Sequence, residues 1–162
     1  MKKGLAPIFN QDTSILVLGS SPSEQSLKKQ QYYGNNGNQF WKILFNYYNV
    51  PFETDYNKRV TFLLDHHIGL WDVYHLFERN GSLDTSFKTV ELNDFSQILT
   101  QADIKLIITN GKKAYDEVIN NQLFPQIKIA PCISTSGAAN GQMEKRKMQW
   151  EEALGMVDKE FY

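Results

Sequence analysis

Four short runs rich in Ile, Leu and Val constrain this chain more than any other feature: Ser14–Ser20 (SILVLGS), His67–Val73 (HIGLWDV), Ile104–Asn110 (IKLIITN) and Ile127–Ile133 (IKIAPCI). Near-continuous apolar runs of this length read as strands buried on both faces. Helical patterns are expected at Gln39–Tyr48, Tyr56–Leu64, Leu92–Gln101, Lys112–Asn121 and Gln142–Leu154. Strands alternating with helices imply parallel crossover units. The expected fold is therefore α/β, a three-layer sandwich with a central, mainly parallel four-stranded sheet flanked by helices. Pro131 places the end of the fourth run at a strand end or a sheet edge. Glu78–Asn93 is expected to be a long loop.

No repeat, low-complexity tract or linker divides the sequence, so residues 1–162 are expected to form one domain. Such a length buries roughly two thirds of the unfolded surface. A lone cysteine, Cys132, excludes an internal disulfide and a four-thiolate metal site, and favours a reducing compartment. Neither a signal-peptide run nor a span of about 18 apolar residues is present, so a soluble, cytoplasmic protein is expected, with no membrane partner. The net charge of -1 and pI near 6.3 give no overall basic field. Short basic clusters (Lys28–Lys29, Lys112–Lys113 and the KRK of 145–147) read as solvated faces, and His66, His67 and His75 lack metal-motif spacing.

In an open α/β sheet, ligands bind at the carboxyl ends of the strands. There this chain carries GSSPS (Gly19–Ser23), the region from Asp72, NGKKAY (Asn110–Tyr115) and STSGAANG (Ser134–Gly141). Loops of small polar residues leave backbone N–H groups and hydroxyls available, which suits phosphate. Taken singly, each is as readily a helix cap. Neither GxxxxGK[ST] nor GxGxxG nor GxSxG occurs, which argues against a nucleoside-triphosphate site, a dinucleotide site and a nucleophile elbow. The stretch Gln31–Trp41 (QYYGNNGNQFW) pairs turn-forming amides and glycines with aromatic residues that seek burial, so it reads as a turn pinned to the core at one end.

In this order, GSSPS, YYGNNGNQFW, LWDVYHLFERNGSLDTSF, TNGKKAY and ISTSGAAN resemble the uracil-DNA glycosylase superfamily over most of the chain. The hypoxanthine-DNA glycosylase branch is the most similar, with its GS-aromatic-PS first loop, YY…N-x-FW segment and late STS-P-A-N loop. The mismatch-specific uracil glycosylases supply a spacing check. Their base-stacking phenylalanine lies twelve residues beyond the first-loop asparagine, and N-x-FW follows five later. From Ser21, twelve residues lead to Tyr33 and five more to Asn38.

The resemblance implies a glycosylase of base-excision repair that uses no cofactor and no metal and acts on DNA containing a deaminated base. It would flip the base out of the duplex and hydrolyse its glycosidic bond. The lack of an evident amine nucleophile points to a monofunctional enzyme, with Lys112 and Lys113 beside Asn110 and Gly111 as the open alternative, and a monomer is the simplest expectation. Asn38, Ser21 and Ser134 fall at the catalytic positions. Asn38 positions the water, Ser21 occupies the usual first-loop water position, and Ser134 stands where uracil-specific relatives place a histidine. Tyr33, or Tyr32, would stack on the base, with Asp72, Gly19 and Ser20 around its edge; Ser23, Thr135, Ser136, Lys112 and Asn140 would meet DNA phosphates. A carboxylate at Asp72 accepts the N1–H of hypoxanthine or the N3–H of uracil and rejects adenine. Asn38 also suits a cap for the helix near Phe40, and Asp72 a loop cap. The chain departs from the pattern at Gly137, where the family has proline, at Asn140, one place late, and at Asn35, Asn36 and Gly37, where HPR or NPR is usual. Hypoxanthine is the expected substrate. Uracil or a mismatched pyrimidine, a catalytically silent DNA binder, and an enzyme of free nucleosides or nucleotides remain as rivals.

Overall fold

A computed structural model describes residues 1–80 and 87–161. In chain order the elements are β1 (Lys2–Lys3), β2 (Ile15–Gly19), α1 (Glu24–Lys29), α2 (Phe40–Tyr47), α3 (Tyr56–Asp65), β3 (Ile68–Asp72), β4 (Tyr74–Arg79), β5 (Phe87–Leu92), α4 (Ser96–Gln101), β6 (Leu106–Asn110), α5 (Lys112–Asn120), β7 (Lys128–Cys132) and α6 (Met143–Phe161), with a 3-10 turn over Gly137–Gln142 before α6.

The four apolar runs form one parallel sheet in the order β3-β2-β6-β7. Every residue of β2, β3 and β6 is buried, because helices cover both faces. Alternate side chains divide between two cores, as a strand's period of two requires. Ile15, Val17, Ile68, Leu70, Leu106 and Ile108 face α2, α3 and α6, while Leu16, Leu18 and Ile107 face α4, α5 and β4. The result is the expected three-layer sandwich. β7 is an edge strand, which accommodates Pro131, exposed opposite Thr109.

Helix α2 anchors the polar turn before it. Phe40, Trp41, Leu44 and Phe45 are buried as one stripe, and Phe40 meets Trp150 of α6 edge-on at 5.9 Å. Leu44 is fully buried. Leu44→Ala should therefore lower the unfolding free energy by about 2–5 kcal/mol, read as a lower denaturant midpoint at unchanged slope.

Three sequence expectations are corrected. Glu78–Asn93 is not simply a loop: β4 and β5 pair antiparallel, with Phe77 opposite Val90, and β1 extends them into a second, three-stranded sheet. Strand β5 is largely exposed and forms by pairing rather than burial, so no apolar run announces it; the part of that expectation at 81–86 lies outside the described residues. The helix expected from Leu92 starts at Ser96, because β5 runs to Leu92 and the Asp94 carboxylate then accepts the Ser96 amide at 3.0 Å. The last helix passes Leu154 and continues to Phe161.

The chain passes from β2 to its neighbour β3, then crosses back to β6 and on to β7. Strand order thus reverses between β2 and β6, and a crevice opens outside the carboxyl ends of such a pair. Those ends are Gly19 and Asn110.

Candidate active site

The first wall of the crevice is the loop after β2. Backbone bonds fasten it to the end of β3: Gly19 O accepts the Val73 amide at 2.8 Å, and Ser20 O accepts that of Tyr74 at 3.0 Å. Ser23 caps α1 by accepting the Ser26 amide at 3.1 Å. Arg79, buried and flanked by the rings of Phe77 and Phe87, donates to Ser21 Oγ and Pro22 O. Gly19 is where the site closes on itself, since a Cβ there would lie 2.7 Å from Asp72 Oδ1 and 3.4 Å from Tyr33 Oη. Gly19→Ala should displace the Asp72 carboxylate and lower turnover at this site by about 10²-fold while the protein stays folded, since such misplacements act on geometry.

The second wall is the amide turn. Tyr32 is 3% exposed and fully engaged: its hydroxyl donates to Ala6 O at 2.7 Å, its amide to Tyr56 Oη at 3.0 Å, and its carbonyl accepts Trp41 Nε1 at 2.9 Å. Tyr33 takes a left-handed backbone conformation with φ of 53°, which costs a non-glycine residue about 1–2 kcal/mol. Its ring lies 4.3 Å from that of Phe40. Burial first, and the Asp72 carboxylate second, push both phenols up in pKa, so both remain neutral. Asn35 Oδ1 accepts the Gly37 amide and Asn35 O that of Asn38, both at 2.9 Å. Asn38 Oδ1 in turn accepts the Phe40 amide at 2.9 Å, which fixes its amide plane and leaves Nδ2 as a donor.

The third wall follows β7. Thr135 is 1% exposed. Asn110 grips it from β6, with Asn110 Oδ1 accepting the Thr135 amide at 2.9 Å and Nδ2 donating to its hydroxyl at 3.0 Å. Thr135 O accepts the Gln39 amide at 2.9 Å, so one residue joins β6, β7 and α2. Gly37 and Gly137 face each other across this junction, and a Cβ at Gly137 would lie 3.4 Å from Gly37 O.

These walls enclose a cavity of about 440 Å³, within the range of roughly 300–1,000 Å³ typical of small-ligand sites. Asn38, Ser21, Ser134, Tyr32, Tyr33, Asp72, Gly19, Ser20, Ser23, Thr135 and Ser136 all line it. Lys112 and Asn140 do not line it. Lys112 is exposed and pairs with Asp116 at 2.5 Å, and Asn140 Oδ1 is held by Arg146 at 2.9 Å. Asp72 is 3% exposed and is the only charged side chain among the described lining residues.

Sequence reasoning put the turn of Asn35 and the loop of Asn110 at the site without giving either residue a role of its own, and it missed Ser26 in the lining and two buried arginines behind it. The reading of 145–147 as a solvated face holds for Lys145 and Lys147 but not for Arg146, which is 1% exposed. A signal was present: Arg146 stands four residues before the buried Trp150, on the inward stripe of α6. Arg79 likewise shares its strand face with buried Phe77.

A carboxylate, an aromatic ring and a fixed amide around one small cavity, ringed by hydroxyl-bearing loops, have the hydrogen-bonding and stacking chemistry that suits a planar polar group. The family model of the uracil DNA glycosylase superfamily matches residues 6–156, and the chain belongs to that superfamily. It is a DNA glycosylase, an enzyme of DNA repair. It is 38% identical over 156 residues to the hypoxanthine DNA glycosylase of Methanosarcina barkeri, covering 94% of this chain and 98% of that protein. It is 36% identical over 155 residues to the hypoxanthine DNA glycosylase of Methanosarcina acetivorans, covering 93% and 96%. Among solved structures, it superimposes with a TM-score of 0.85 and 34% identity on the solution NMR structure of a Methanosarcina acetivorans protein provisionally described as a uracil DNA glycosylase, over 97% of this chain and 98% of that one.

Proposed function

We propose that this enzyme removes hypoxanthine from DNA by water attack at C1′, with no covalent intermediate. The observation that carries the reading is the buried Asp72 carboxylate beside Gly19 and Tyr33 in a cavity that holds no other charged side chain among the described residues. Asp72 accepts the N1–H of hypoxanthine, which adenine lacks. Tyr33 and Tyr32 form the aromatic side of the pocket, and stacking on such a platform contributes about 1–3 kcal/mol toward holding a flipped base. Gly19 and Ser20 shape the base edge. Asn38 orients the water, whose oxygen bonds to C1′ as the C1′–N9 bond breaks; the water gives up one proton to solvent, and the base leaves with the bonding pair and takes one up from solvent. Ser134 offers the departing base only a neutral hydrogen bond, a weaker support for an anionic leaving group than a cationic donor gives. Ser21 contributes to the same wall.

Ser23 and Ser136 lie on the loops proposed to meet phosphates, with Thr135 beneath the rim and Asn140 and Lys112 outside the cavity. Neither Lys112 nor Lys113 lines the cavity, and both face acidic partners on α5, Asp116 and Glu117, which supports water rather than a lysine amine as the nucleophile. The test is product analysis. The expected products are free hypoxanthine and an intact strand that breaks at the abasic site only in alkali, with no borohydride-trapped adduct. A trapped adduct would overturn water attack, and recovery of a different base alone would overturn the substrate.

A further inference from the structure

Arg146 combines two properties that rarely meet. It is 1% exposed, yet its hydrogen-bond partners are all oxygens of neutral groups: Ser134 O at 3.2 Å, Ser136 O at 3.3 Å and Asn140 Oδ1 at 2.9 Å. No carboxylate lies within ion-pair distance of it among the described residues, and its Nε makes no hydrogen bond. Burying an unpaired guanidinium is unfavourable, so a fold that needed only a loop clamp would be better served by a neutral donor or by an added carboxylate. All three acceptors belong to the loop over Ser134–Asn140, which walls the cavity with Ser134, Ser136 and Gly137. The positive charge thus sits directly behind a loop of hydroxyls and backbone amides.

We infer that Arg146 is a positioning residue for DNA binding: its planar fork fixes the loop in the shape that receives a phosphodiester beside the flipped nucleotide, and that phosphate supplies the negative charge the guanidinium lacks in the free protein. This rests on the reading that the loop over Ser134–Asn140 meets the DNA backbone. The fork geometry matters as much as the charge, because three acceptors on one loop are satisfied by one rigid group. Lysine keeps the charge and loses the fork; methionine loses both.

The experiment measures binding of wild type, Arg146→Lys and Arg146→Met to a duplex carrying a tetrahydrofuran abasic analogue, across a series of salt concentrations, with thermal unfolding of each protein alongside. This probe holds no base, so its outcome is independent of which base is excised; failure of the substrate assignment would show instead as wild type releasing no hypoxanthine. Arg146→Met should weaken binding by about tenfold and flatten the plot of log affinity against log salt by up to about 0.9. Arg146→Lys should keep the wild-type slope and bind about threefold more weakly. A folded Arg146→Met with wild-type slope and affinity would reduce the residue to a structural role and overturn the inference. Should Arg146→Met fail to fold, an Arg146→Lys protein indistinguishable from wild type in affinity would overturn it equally.

Discussion

Asn38→Ala should lower single-turnover base release by about 10²–10⁴-fold, the usual contribution of a group that positions or activates the attacking water. Affinity for lesion DNA should stay close to wild type, because Tyr33, Asp72 and the phosphate-facing loops are untouched. The loss should therefore appear in the chemical step and not in the Michaelis constant. Asn38 has a structural duty as well, since its Oδ1 accepts the Phe40 amide at 2.9 Å. Removing that acceptor, which closes the turn just before the Gln39 N-cap of α2, costs about 1 kcal/mol, a second effect that must be separated from the first. Asn38→Asp makes the separation. A carboxylate retains the acceptor for the Phe40 amide and still orients water, so this variant should recover the wild-type unfolding midpoint and much of the rate. Equal rates for wild type and Asn38→Ala would remove Asn38 from the mechanism.

The second large effect concerns base choice. Asp72→Ala should reduce excision of hypoxanthine by about 10–150-fold, the equivalent of losing a charge-assisted hydrogen bond of about 1.5–3 kcal/mol. Asp72→Asn should act differently. An amide can turn its N–H₂ toward the unprotonated N1 of adenine, so the ratio of hypoxanthine to adenine excision should fall even where hypoxanthine is still processed. Backbone support survives both changes, because Asn93 holds Asp72 through its main-chain oxygen at 2.8 Å. Removing the carboxylate also takes away one of the influences that raise the Tyr33 and Tyr32 phenols, so both pKa values should move down. Burial, the larger influence, keeps them above their ordinary value, and the neutral-pH rate should show no new tyrosine titration. Parallel losses on hypoxanthine and adenine oligonucleotides, with the ratio unchanged, would contradict an edge-reading role.

The parts of this fold that burial alone builds were legible in the sequence. β2, β3 and β6 are buried from end to end because helices cover both faces, which gives each an apolar run, and Pro131 pointed to a strand end or an edge, of which the edge is what forms. The hairpin of β4 and β5 was not, since β5 is stabilised by its partner and carries an exposed, polar pattern. Much of the site's lining was also legible, because the small polar loops fall where a parallel sheet presents its carboxyl ends. What escaped were relations between distant residues. Asn110 and Thr135 lock together across 25 positions of sequence, and nothing in either neighbourhood marks the pair. Arg79 and Arg146 were hidden by their chemistry, because a charged residue in a polar stretch ordinarily faces water. The left-handed backbone of Tyr33 was hidden too, since a tyrosine carries no preference for it.

The most direct test of the account is the rate of base release from otherwise identical duplexes containing hypoxanthine, xanthine or uracil, with enzyme in excess and abasic sites revealed by alkali. The account predicts release from the hypoxanthine duplex at a rate well above that for uracil. Uracil released as fast as hypoxanthine, or no release from the hypoxanthine duplex by folded, DNA-bound enzyme, would contradict it.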